Sequence, residues 1–156
     1  MLKVSIPGWG DLHLEHLVMD FNGTLAQDGA LIGGVPEAIR SLSGTLAVHV
    51  VSADTFGTVR DSLRQLPCKV EVIGPTGQDR AKHDYVNRLG ARHVAAIGNG
   101  RNDRLMIEAA ALGIAVILGE GACVETLQTA DIVCTDILTA LGLFQHPLRL
   151  VAALRS

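Results

Sequence analysis

Leu2, Val4 and Ile6 alternate with Lys3 and Ser5, and Leu12 and Leu14 with Asp11, His13 and Glu15, on either side of the turn formers Pro7-Gly8-Trp9-Gly10. Period-two alternation around such a turn predicts an N-terminal β-hairpin over residues 1–15. From Leu17 onward the pattern changes. Short apolar runs at about 17–21, 46–51, 70–73, 93–97, 115–118 and 131–134 alternate with helical periodicity at about 36–42, 55–66, 79–89, 103–112, 122–128, 137–143 and 147–154. Alternating β and α segments predict an α/β domain with a mainly parallel sheet and helices on both faces. One domain spans 1–156 in this reading, with a helical tail over 137–156.

Composition narrows the class. A 156-residue chain with 48% hydrophobic and 19% charged residues is long enough to bury an ordinary core and too apolar for disorder. The net charge of −3 has no basic stripe behind it, which argues against a nucleic-acid partner. Cys68, Cys123 and Cys134 form no C-x-x-C pair and read as small buried thiols of a reducing compartment. The N-terminus lacks a signal-peptide core, and the longest apolar stretch, Ala109 to Leu118, is about half the ~20 residues a membrane span needs. A soluble, cytoplasmic protein is the expectation.

The candidate chemistry lies at strand ends. Asp20-Phe21-Asn22-Gly23-Thr24-Leu25 follows the apolar run Leu17-Val18-Met19, Ser52 follows Val48-His49-Val50-Val51, and Gly98-Asn99-Gly100-Arg101-Asn102-Asp103 follows His93-Val94-Ala95-Ala96-Ile97. In open parallel sheets ligands bind outside the carboxyl ends of strands, so three polar loops there make one site. Any one loop alone reads as turn chemistry, since Asp, Asn, Ser and Gly are common turn formers. Together they hold the parts for attack of a carboxylate on phosphorus, which needs a cation against anion–anion repulsion and donors for the phosphoryl oxygens. Asp20 is the candidate nucleophile. Thr24, Ser52 and the main-chain amides of Phe21, Asn22, Gly23 and Ala53 are candidate phosphate donors. Asp20, the Asn22 carbonyl, Asn99 and Asp103 form an oxygen set suited to Mg²⁺. Lys82 or Arg80, near the start of one predicted helix, supplies a positive charge, and periodicity does not separate the two.

Asp20-x-Asn22-Gly23-Thr24-Leu25, Ser52-Ala53-Asp54-Thr55, Lys82 and Gly98-Asn99-Gly100-Arg101-Asn102-Asp103 resemble the four ordered motifs of the haloacid dehalogenase superfamily, over roughly residues 16–135. The likeness is closest to the stand-alone proteins described as soluble P-type ATPases. It implies a Rossmann-like domain, Mg²⁺ dependence and an aspartyl-phosphate intermediate, and it sets Asp20 on the nucleophile, Ser52 on the second-motif hydroxyl, Lys82 on the cation, and Asn99 and Asp103 on the metal-side pair. Many relatives insert a cap domain between these motifs; here neither gap has room for one. A second subunit or a large substrate would then cover the site, and the apolar tail from Ile137 to Val151 could serve its own sheet or a homo-oligomer.

Two departures shape the mechanism. Superfamily phosphatases carry an aspartate acid/base two residues after the nucleophile, where this chain has Asn22, and losing such a group costs about 10²–10⁴-fold in rate. Asn99 replaces the usual metal-binding aspartate, so Mg²⁺, Lys82, Asp20 and Asp103 sum to +2 + 1 − 1 − 1 = +1. The expectation is a slow phosphatase or phosphotransferase acting on a small phosphorylated molecule or phosphoprotein, suited to good leaving groups such as acyl phosphates. Two alternatives stand beside it: a catalytically silent module that binds phosphate or a partner, and a sugar-phosphate phosphatase like the tetrameric capless 3-deoxy-manno-octulosonate 8-phosphate enzymes. Asn22 speaks against the last. The six histidines show no metal spacing, Asp54 reads as a helix cap, and Asn102 as either a substrate contact or a loop-shaping residue.

Overall fold

The computed structural model describes residues 1–54 and 57–156. In chain order the elements are β1 (Leu2–Ile6), β2 (Gly10–Leu14), β3 (His16–Met19), β4 (Ala26–Gln27), β5 (Ala30–Leu31), α1 (Val35–Leu42), β6 (Ala47–Ser52), α2 (Val59–Leu63), β7 (Lys69–Val72), α3 (Gln78–Leu89), β8 (Val94–Gly98), α4 (Arg104–Ala109), β9 (Leu112–Val116), α5 (Val124–Thr129), β10 (Ile132–Cys134), α6 (Ile137–Gln145) and α7 (Leu148–Leu154). Six strands form one parallel sheet in the order β10-β9-β8-β3-β6-β7. β8 and β9 are buried at every position, as strands covered on both faces must be.

The two faces carry separate cores. Leu17, Met19, Val48, Val50, Ile97 and Ile114 point to one face and pack with α1, α2, α6, α7 and the β1–β2 hairpin. Val18, Val51, Val94 and Ala96 point to the other, against Val86 of α3 and Met106 and Ile107 of α4. The predicted hairpin is present, with Leu2 opposite Leu14 and Val4 opposite Leu12. Among the described residues no helix is long and apolar enough to cross a membrane; α6 and α7 together have the composition but meet at 111°.

The strand order reverses at β3. From it the chain builds outward through β6 and β7 on one side and β8, β9 and β10 on the other, so the switch-point crevice opens between the ends of β3 and β8. Asp20 follows β3 and donates its amide to Ile97 O at 3.0 Å, and Asn99 follows β8. Between Asp20 and Ser52 the described chain forms only the short β4–β5 hairpin, α1 and β6, with no inserted domain.

Three boundaries depart from the sequence expectation. The helix expected over about 103–112 ends at Ala109 and the strand expected over about 115–118 runs over Leu112–Val116. Ala110 is extended and Ala111 N donates to the carbonyls of Ala91 and Val94, which turns the apolar run from helix into strand. The helix expected over about 55–66 begins at Val59, because Asp54 at φ 51° accepts the amides of Thr58 and Val59 at 2.8 and 3.0 Å. Thr55 and Phe56, at the start of that expected helix, lie outside the described residues.

Candidate active site

The loop after β3 is built around its own turn. The amides of Thr24, Leu25 and Ala26 all converge on Phe21 O at 2.9–3.2 Å, and Gly23 N donates to Ala26 O at 2.7 Å. Gly23 has φ +79°, a left-handed conformation that a side chain resists. The Gly23 amide is thus taken up by the turn, which corrects its assignment as a phosphate donor. Phe21 and Leu25 are fully buried and anchor the loop, leaving Asp20 at 7% exposure facing outward from the sheet end.

Lys82 reaches this point from α3. It is wholly buried, and its Nζ lies 2.6 Å from Asp20 Oδ1 and 2.6 Å from Asp103 Oδ1. Arg80 is exposed and has no part in this triad, so packing decides between two cations that periodicity left equal. Asp103 is pinned in turn: its Oδ2 accepts the amides of Asn99 and Gly100, both at 2.9 Å, and with Lys82 on its Oδ1 and no part in the cavity lining it holds the loop and the ammonium, which corrects its assignment as a direct metal ligand. A Cβ on Gly98 would stand 2.5 Å from the Asp103 Cβ, so glycine is required for that carboxylate to fold back over the strand end.

Burial, and after it the Asp103 carboxylate, push the Asp20 acid up to about 6 against the pull of Lys82. Burial also works against the Lys82 ammonium, but Asp103 and Asp20 outweigh it and hold the amine protonated above its ordinary range.

Asn99 is oriented by both ends of its amide. Its Nδ2 donates to Gly121 O at 3.0 Å, which turns Oδ1 toward Thr24, whose hydroxyl stands 3.3 Å from Asn99 Oδ1 and 3.4 Å from Asp20 Oδ2. Ser52, 2% exposed, presents its hydroxyl at the end of β6 and accepts the Asp54 amide at 3.1 Å. Asp20, Asn22, Ser52, Ala53 and Asn99 line one cavity of about 190 Å³ with Gln78, Gly100, Asn102 and Glu120. Asn102 donates to Gln78 Oε1 at 2.7 Å, and that pair separates this cavity from an adjoining one of about 470 Å³ lined also by Arg101, Arg104 and Asp79.

The sequence reading did not include Glu120 or Gln78. Glu120 had a signal, since Gly119-Glu120-Gly121 is another polar, glycine-flanked turn just beyond a strand end, here β9. Its carboxylate revises the charge: Asp20, Asp103 and Glu120 against Lys82 give −2, and a dication brings the site to 0 rather than +1.

The residues fit a hard divalent cation. Asp20, Asn22 and Asn99, all bearing oxygen donors, line one cavity, and Asn22 Oδ1 is buried with no hydrogen-bond partner. An orphaned buried acceptor is costly unless a cation or bound water meets it. Among the described residues no three His, Cys, Asp or Glu side chains converge as a ligand set, and the residue at 99 is an asparagine.

The comparisons with known proteins agree with this frame. The fold is that of the haloacid dehalogenase hydrolases, in capless form. The 3-deoxy-D-manno-octulosonate 8-phosphate phosphatase of Yersinia pestis superposes with a TM-score of 0.69 at 15% identity, over 97% of this chain and 95% of that one. The Moraxella catarrhalis phosphatase, in complex with magnesium, phosphate and its sugar, gives 0.65 at 17%, over 88% and 93%. The cobalt-bound Haemophilus influenzae enzyme gives 0.64 at 18%, over 89% and 97%. No family model matches the chain. In sequence, 64 residues are 47% identical to an uncharacterized protein of Methanocaldococcus jannaschii, covering 41% of this chain and 69% of that protein, and the chain belongs to that protein's family.

Proposed function

We propose that this chain transfers phosphoryl groups through an aspartyl-phosphate on Asp20, as a slow magnesium-dependent phosphatase or phosphotransferase of a small phosphorylated molecule. The observation that carries this reading is the triad at the switch point, with a buried ammonium 2.6 Å from both Asp20 and Asp103 beside an open, donor-lined cavity. A purely structural ion pair would not need a second carboxylate, a cavity and an orphaned acceptor at the same place.

In this mechanism a carboxylate oxygen of Asp20 forms a bond to phosphorus as the bond to the leaving oxygen breaks. Lys82, the Ser52 hydroxyl and the amides of Phe21, Asn22 and Ala53 meet the charge on the phosphoryl oxygens. Asp20, Asn22 and Asn99 would hold magnesium, which supplies the positive charge that lets two anions meet. Asn22 cannot pass a proton to the leaving group or take one from water. Leaving groups that depart as stable anions, acyl phosphates among them, therefore suit the site, and the phosphoenzyme hydrolyses slowly. The same residue favours acyl phosphates over sugar alkoxides, whatever the fold's sugar-phosphatase neighbours accept. With no cap, a second copy of the chain or a large substrate would cover the cavity.

Intact-mass spectrometry after mixing with acetyl phosphate and Mg²⁺ tests this. A phosphoryl adduct or released phosphate is expected from the native chain and neither from Asp20→Asn. Their absence from both would leave a silent phosphate- or partner-binding module as the reading.

A further inference from the structure

The turn after β9 does two things at once. Gly121 O accepts the Asn99 amide at 3.0 Å, and Cys123 N donates to Asn99 O at 2.8 Å, so residues 118–123 are latched to position 99. An aspartate at 99 has no hydrogen to offer Gly121 O and would set a carboxylate against a carbonyl. The side-chain half of the latch therefore requires the amide, and the site gives up a negative charge to keep it. The latched turn carries Glu120 to the same cavity wall. A Cβ on Gly23 would stand 2.5 Å from Asn99 Nδ2, 2.9 Å from Asn99 Oδ1 and 2.8 Å from Glu120 Oε2, which sets the two side chains together against the loop that follows Asp20. Glu120 Oε1 also accepts the Asp28 amide at 3.2 Å, which steadies the β4–β5 hairpin beside it.

We infer that Glu120 returns to the divalent-cation site the charge missing at Asn99, and that it acts as an outer partner of a cation held by Asp20, Asn22 and Asn99. This rests on the cation-dependent reading of the site above. An outer role follows from two facts: Glu120 is exposed, and with Asp20 and Asp103 it makes no closed ligand set. Carboxylates in such outer positions set affinity, and removing one typically weakens metal binding by about 10–100-fold.

Glu120→Gln isolates the charge, because the amide oxygen keeps the bond from Asp28. Mn²⁺ and Mg²⁺ binding to the full chain, followed by titration calorimetry and by the free-Mn²⁺ electron paramagnetic resonance signal, reads affinity without turnover. Glu120→Gln is expected to weaken both cations about tenfold or more. Glu125→Gln, which removes a carboxylate paired with Arg101 and Arg104 at the surface, is expected to leave them unchanged. Binding to Glu120→Gln within twofold of the native chain would overturn the role of Glu120 alone. Absence of binding to the native chain would overturn it together with the cation reading.

Discussion

Lys82 and Tyr85 stand one turn apart on α3, and each anchors a polar cluster on the same parallel sheet, buried around Lys82 and half-buried around Tyr85. Around Tyr85 the cluster is neutral and closed: His16 Nδ1 and His49 Nε2 are 3.1 Å apart, and His49 Nδ1 lies 2.8 Å from the Tyr85 hydroxyl, with both ring nitrogens of His49 partnered. Around Lys82 the cluster is charged and open, with two carboxylates on one ammonium, a third carboxylate at the rim and a buried acceptor left unmet. Both are polar, and each holds a fully buried member, His49 in one and Lys82 in the other. What separates them is that one satisfies itself and the other awaits a ligand, and only the second lies at the switch point of the sheet.

The sharpest way to break the contrast is Lys82→Met. It leaves Asp20 and Asp103 buried together without a counter-charge, and a loss of about 3–5 kcal/mol is expected, read as a shift in urea midpoint at constant slope. The Asp20→Asn, Lys82→Met double variant should recover part of it, and full additivity of the two changes would refute the coupling.

Asn22→Asp sharpens the comparison from the chemical side. If the missing acid/base is what slows the open cluster, phosphoryl release from Asp20 should accelerate by about 10²-fold or more, measured as decay of the mass adduct after the donor is removed. An unchanged decay would show that water access, not proton transfer, sets the rate.

The closed cluster makes a pH prediction. Burial, then His16 and Lys69, hold His49 down at about 4 from its ordinary 6.5, and burial lowers His16 as well. A histidine whose folded pKa lies below its unfolded value contributes stability in full above about 6.5 and loses it as pH falls toward 4. Native protein should lose on the order of 2–3 kcal/mol across that window in excess of a His49→Phe variant. Parallel pH profiles of the two would contradict the assignment.

The smallest effect is Tyr85→Phe, which leaves His49 Nδ1 without its partner and should cost about 1 kcal/mol with no change in phosphoryl capture. Any loss of capture would mean that the two clusters are coupled through α3.

Much of this was legible beforehand because it depends on local order. The strand-then-loop spacing placed Asp20, Ser52 and Asn99 at one edge of the sheet, since parallel strands all deliver their carboxyl ends to the same side. Lys82 and Arg80 could not be told apart, because both lie near the start of one helix and only packing against β3 and β8 selects which is buried. The break between α4 and β9 was hidden in an apolar run that serves as helix and then as fully buried strand without a period to mark the change. His16 and His49 meet only because β3 and β6 pair in one register, with Val18 opposite His49.

By itself, then, the order of residues determined the α/β alternation, the parallel sheet and which polar loops gather at its edge, because periodicity and chain direction are local properties. Tertiary structure alone decided the rest: that Lys82 is the buried cation, that the Gly23 amide is consumed by its own turn, and that Glu120 joins the cavity of Asp20, 100 positions away in sequence. Those outcomes depend on distances between segments remote in sequence, which no single segment encodes.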